Sequence, residues 1–160
     1  MKGFPKRIYT TEETQKARDL ISKGHKHRLK LKGSTQFTEK TRHAVALVKK
    51  AGYYDLLRTY VRSIEEVDGL TQLREADAKI WANKYAVENP VDAASLLVQK
   101  AMQMKEYLEG TLYYGGEAEK RLDQKRIEFL QVLESKSPNE EVKRECARLL
   151  KMWRESSLIY

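Results

Sequence analysis

The sequence holds a single cysteine, Cys146. One thiol excludes an internal disulfide framework and any multi-thiolate metal site built by one chain, and its place in a run of helically spaced apolar residues marks it as an inert core thiol. Long apolar runs are missing too. Uncharged stretches such as Ala93 to Gln99 fall far short of the ~20 apolar residues that a membrane-spanning helix needs, which argues against contact with a membrane. The basic start, Met1 to Arg7, leads into Thr-Glu-Glu rather than an apolar stretch, so it does not read as a secretory signal, and a cytoplasmic location is expected. Also absent are the Gly-x-Ser-x-Gly elbow of serine hydrolases, the Gly-rich phosphate loops and paired metal-binding cysteines. No complete catalytic site is readable, and no cofactor is expected.

What is present describes a chain that folds and stays soluble. Hydrophobic residues make up 41% of the sequence, too many for a disordered chain, and charged residues 34%, too many for a membrane protein. At 160 residues the length suits a single domain over 1–160 with one core. The charge is uneven. Residues 1–50 carry 14 Lys and Arg against 4 Asp and Glu, whereas residues 51–160 carry 17 against 19. The densest basic stretch runs from Gly24 to Gly33, where Lys26, Arg28, Lys30 and Lys32 are candidates for contact with a polyanion. That stretch lacks the interleaved aromatic residues on which bases stack. Its histidines His25 and His27 share one side of an extended segment, but with His43 they sit among cations and lack the carboxylate support that a metal site needs.

The periodicities predict an α+β fold of about five helices with a small two- to three-stranded antiparallel sheet; an all-α bundle is the alternative. Thr10 and Glu13 form a capping box for a helix over 11–23, stopped by Gly24. Leu29 and Leu31 alternate with Arg28, Lys30 and Lys32, the period of a half-buried strand at 28–32. A second helix is expected from near Thr38, with Ala44, Leu47 and Val48 inward, interrupted at Ala51-Gly52. Beyond it a short helix ends in, or is followed by, a strand at 60–67, and Asp68-Gly69 separates this from a strand at 78–82. Asn89-Pro90 opens a helix with Ala94, Val98, Ala101, Met102 and Leu108 on one face, ending at Gly110. A turn at Tyr113 to Gly116 leads to a helix carrying Ala118, Leu122, Phe129, Leu130 and Leu133. Ser137-Pro-Asn-Glu140 reads as a second capping box, with Pro138 the first residue of a last helix bearing Val142, Cys146, Leu149, Leu150 and Trp153. Trp81 and Trp153 are expected in the core or an interface rather than as a ligand platform.

A basic-faced strand, a helix, a second strand, a third strand ending in Lys79-Ile-Trp-Ala82, a helix from Pro90 and an Ala-Glu on the helix after it follow one another in an order that resembles minimal zincin-type, gluzincin-like metallopeptidases. In that family a helix carries His-Glu-x-x-His, two imidazoles four residues apart on one zinc and a Glu that activates its water, and a Glu on the next helix is the third ligand. The resemblance aligns Gln99, Lys100 and Gln103 with those three helical positions and Glu119 with the later ligand. Gln is a poor zinc ligand beside imidazole, and Lys adds a positive charge where a base belongs. The resemblance therefore implies a pseudoenzyme without metal, in which Lys100 fills the vacant metal position and pairs with Glu119.

Three functions follow as expectations. The first is a non-catalytic zincin-like module that acts through a protein partner. The second is a small basic nucleic-acid-binding accessory protein using Lys26, Arg28, Lys30 and Lys32. The third is an enzyme whose groups converge from distant positions. Leu158, Ile159 and Tyr160 give the chain an apolar end suited to self-association as a homo-oligomer.

Overall fold

Helix caps set the limits of most helices in the computed structural model, which describes residues 3–157. The first helix, α1 (Thr11–Ser22), begins with the expected capping box: Thr10 Oγ1 accepts from Glu13 N, and Glu13 Oε1 accepts from Thr10 N. For α2 (Thr35–Ala51) the cap is Ser34, whose hydroxyl accepts from Phe37 N. This helix starts before the expected Thr38 because Ser34 satisfies the first free amides, placing Thr38 inside the helix. Gly52, left-handed at φ +87°, ends it, and α3 (Tyr54–Tyr60) follows at once. Asn89 accepts from Val91 N and Asp92 N, and with Pro90 as first residue it opens α4 (Pro90–Glu109). After α5 (Gly116–Lys136), the last helix α6 spans Glu140–Ser157. Here the expected capping box is displaced: Asn139 accepts from Val142 N, so Pro138 lies before the helix, and Ser137 Oγ accepts from Asn139 N. The apolar end at Leu158 to Tyr160 lies outside the described residues.

Four short strands form one mixed sheet: β1 (Lys30–Lys32), β2 (Ser63–Val67), β3 (Gln72–Arg74) and β4 (Lys79–Asn83), in the order β1-β2-β4-β3. The fold class is α+β and the all-α alternative fails, but the sheet differs from expectation in number and direction. β1 runs parallel to β2 because α2 and α3 carry the chain back to the end from which β1 started, and β2 runs parallel to β4 because the intervening β3 runs the other way. β3 is the additional strand, an antiparallel edge beside β4. With one apolar residue, Leu73, between two polar ones, it carries too little pattern to be seen. Arg28 and Leu29 precede the ladder, which begins when Lys30 N donates to Arg62 O. Ala78 adopts φ +55°, so β4 starts one residue later than expected.

The strands register one residue each in an inner row, Leu31, Ile64, Ile80 and Leu73, that faces the core. α4 lies at the centre of the helical layer, packed against α2, α3, α5 and α6. Its buried face is Ala94, Leu97, Val98, Ala101, Met104 and Leu108, whereas Met102, expected inward, is half-buried. Burying each large apolar side chain contributes about 1.5–3 kcal/mol, and Phe37, Leu57, Phe129, Leu130 and Leu150 do so fully or nearly so. Cys146 is buried as expected, and burial pushes its thiol up to about 11. Among the described residues no helix is long and apolar enough to cross a membrane.

Candidate functional site

Residues 92, 95, 99, 103 and 106 follow helical spacing along one side of α4, and all five are polar. They meet α5 and the turn before it as a ladder. Arg126 donates to Asp92 Oδ1 at 2.6 Å and to Ser95 Oγ at 3.0 Å, with its guanidinium 4.9 Å from the Trp153 ring. Gln99 Nε2 donates to Asp123 Oδ1 at 3.2 Å, and Gln103 Nε2 to the carbonyl of Tyr113 at 3.1 Å. Arg121 pairs with Glu106 at 3.1 Å and donates to Leu112 O at 2.7 Å. Burial raises the Asp123 carboxyl above its usual range against the pull of Arg126. Each such bond contributes about 0.5–1.5 kcal/mol when both groups are neutral and more when one is charged.

The positions aligned with a zinc site divide between this seam and its surroundings. Gln99 and Gln103 turn into it; Gln103 Oε1 is buried with no hydrogen-bond partner among the described residues. Lys100 is half-buried, and burial with nearby Arg126 lowers its pKa. Glu119 is exposed on α5. The expected Lys100–Glu119 pair is not among the ion pairs of the described residues: the charge that acts on Lys100 is another cation, and Glu119 instead acts on Asp123. The donor set does not fit a zinc ion: the three α4 positions are two neutral amides and an ammonium group, and the one anionic oxygen, on Glu119, is exposed on α5. Among the described residues no three or more His, Cys, Asp or Glu side chains are grouped to hold a metal ion.

No family model, curated protein or solved structure matches this chain.

The basic segment forms a second candidate. Lys26, Arg28, Lys30 and Lys32 are all exposed, as their alternation requires, while His27 is buried and Leu29 and Leu31 are half-buried. The sheet extends this stripe. On its outer face Lys30 registers with Ser63, Lys79 and Arg74, and Lys32 with Glu65, Trp81 and Gln72. Glu65 lies 3.2 Å from Lys79 and 3.7 Å from Lys32, and hydrogen bonds from Ser63 and Lys79 hold its carboxyl below the usual range despite burial. The Arg74 guanidinium sits 4.4 Å from the Trp81 ring. Trp81 is therefore half-buried on the outer face, not in the core, and the aromatic that the basic stretch lacks is supplied by a strand fifty residues away. The alternation of Lys79, Trp81 and Asn83 with Ile80 and Ala82 carried that signal, but its meeting with Lys32 depends on long-range register.

His25 and His27 come together as their spacing suggests, their rings 4.9 Å apart and both packed on Phe4. Arg62, which donates to Pro5 O, acts on both rings, with Lys26 acting on His25 and Arg58 on His27. Burial, then His25, Arg62 and Arg58, bring His27 down to about 3. His43 is exposed on α2.

Proposed function

We propose that the protein is a non-catalytic binding or structural module, zincin-like in its order of elements, whose α4–α5 seam serves the fold and not a reaction. The observation that carries this reading is the fate of Gln99 and Gln103: the amide nitrogen of each donates across the seam, to Asp123 and to the Tyr113 carbonyl, so both side chains are held by the fold. The passage from β4 into α4 and then α5 follows the order that the resemblance implies, and Lys100, a cation beside Arg126, repels a divalent ion. A module of this kind acts by holding a surface for a protein partner.

Zinc titration of the purified chain tests the reading. The expected result is no stoichiometric binding, with Gln99→Ala and Gln103→Ala each lowering unfolding free energy by about 1 kcal/mol in urea. One bound zinc per chain, lost in Gln99→Ala, would overturn it.

A further inference from the structure

The sheet's two faces differ in kind. The inner row of Leu31, Ile64, Ile80 and Leu73 is apolar, with Glu66 beside Ala82 at the end of that face, and the two outer rows that span all four strands present four cations, Lys30, Lys32, Lys79 and Arg74, against one carboxylate, Glu65. The only aromatic residue in those rows is Trp81, with Arg74 laid over its ring. Lys30 is exposed with no ion-pair partner among the described residues, and Lys32 keeps 60% of its side chain exposed.

We propose that this outer face binds single-stranded nucleic acid, with phosphates held by Lys30, Lys32 and Lys79 and a base stacked at Trp81 and Arg74. Charge complementarity selects a polyanion, and the exposed Lys26 and Arg28 continue the positive stripe along the sheet's edge for a longer strand to follow. The Trp81–Arg74 stack selects nucleic acid over an acidic protein, because a base has a flat π-face that adds to an indole or guanidinium plane and a carboxylate side chain has none. The single strand is selected by access and size. Bases in a duplex are stacked on each other, and four strands span roughly 15 Å, against about 34 Å for one duplex turn. Glu65, bonded to Ser63 and paired with Lys32 and Lys79, offsets part of this charge, but the four cations of the two rows still outnumber it.

Fluorescence anisotropy of a labelled 20-nucleotide oligo-dT, titrated with the full chain at several salt concentrations, tests the inference. The expected result is saturable binding whose log affinity falls by about 2 per decade of salt, three phosphates at a single-strand slope of roughly 0.7 each. Lys30→Glu with Lys32→Glu should weaken it at least tenfold, while Arg144→Glu, on α6, leaves it within twofold. Trp81→Leu, verified as folded by circular dichroism, should weaken it about tenfold; Arg74→Ala, which leaves the indole in place, should weaken it less. Binding that ignores salt, or that survives both lysine reversals, would overturn the proposal. Equal affinity for a duplex, or equal competition by polyglutamate together with indifference to Trp81→Leu, would overturn the assignment to a single strand. None of these readouts depends on whether α4 binds zinc, so this inference and the reading of α4 fail separately.

Discussion

His27 is buried against Phe4, its Nε2 without a hydrogen-bond partner among the described residues, and three cationic or titratable groups, His25, Arg62 and Arg58, act on it. Its pKa in the folded chain, about 3, lies below the ordinary 6.5 because burial disfavours the charged ring. A depressed pKa means that the unfolded chain binds the proton first. The contribution of neutral His27 is fully present above about pH 6.5 and drains away as pH falls towards 3, by up to about 1.4 kcal/mol per pH unit. Urea unfolding between pH 7 and 4 should record this slope, and His27→Phe should flatten it. Burial lowers the Arg126 pKa as it does that of His27, but here the carboxylates Asp92 and Asp123 oppose the shift, and Arg126 is ion-paired with Asp92. Arg126→Ala leaves Asp92 and Ser95 without their partner, so a loss of about 2–3 kcal/mol is expected in the same assay. The site residues Gln99 and Gln103 could be named from the sequence through a helical template, yet their bonds to Asp123 and Tyr113 could not. Spacing fixes which residues share a helix face, and only packing decides what that face meets.

Among the elements, the junction between β1 and α2 is the tightest. Gly33 adopts φ +155°, and a Cβ there would lie 2.7 Å from Glu66 Cβ and 2.8 Å from the Phe37 ring. Glu66 also accepts from Ser34 N and so helps start α2. Gly33→Ala is therefore expected to cost about 1–3 kcal/mol, whereas Gly69→Ala, with open space around it, should be near neutral. Thermal unfolding of the two variants checks the contrast. Elements with strong local chemistry were readable: the Thr10 box, the Gly52 and Gly110 stops and the Asn89-Pro90 start all act within a few residues. β3 was not, since three residues hold too little periodicity. The parallel direction of β1, β2 and β4 was not readable either, because it follows from how α2 and α3, and then the unseen β3, route the chain.

For the molecule as a whole, α4 is the shared wall between the sheet side and the α5–α6 side. Amide exchange should therefore be slowest between Leu97 and Met104 and faster in α6, which packs chiefly on α5. A mass-spectrometric exchange profile with α6 protected longest would contradict this arrangement. The cationic face belongs to this scale as well: its residues come from four strands, and neither charge count nor local motif could join Trp81 to Lys32 before the register was known. The route from β1 to β2 also shapes how the sheet is assembled. A parallel partner separated by two helices meets β2 only after a long loop has closed, and such closure is slow compared with forming the neighbouring hairpin of β3 and β4. Until then the β1 side of β2 is an open edge in the nascent protein. Lys79 of β4 offsets Glu65 there, but Glu66 keeps a negative charge on that strand, which disfavours the edge-to-edge approach of two partly folded chains.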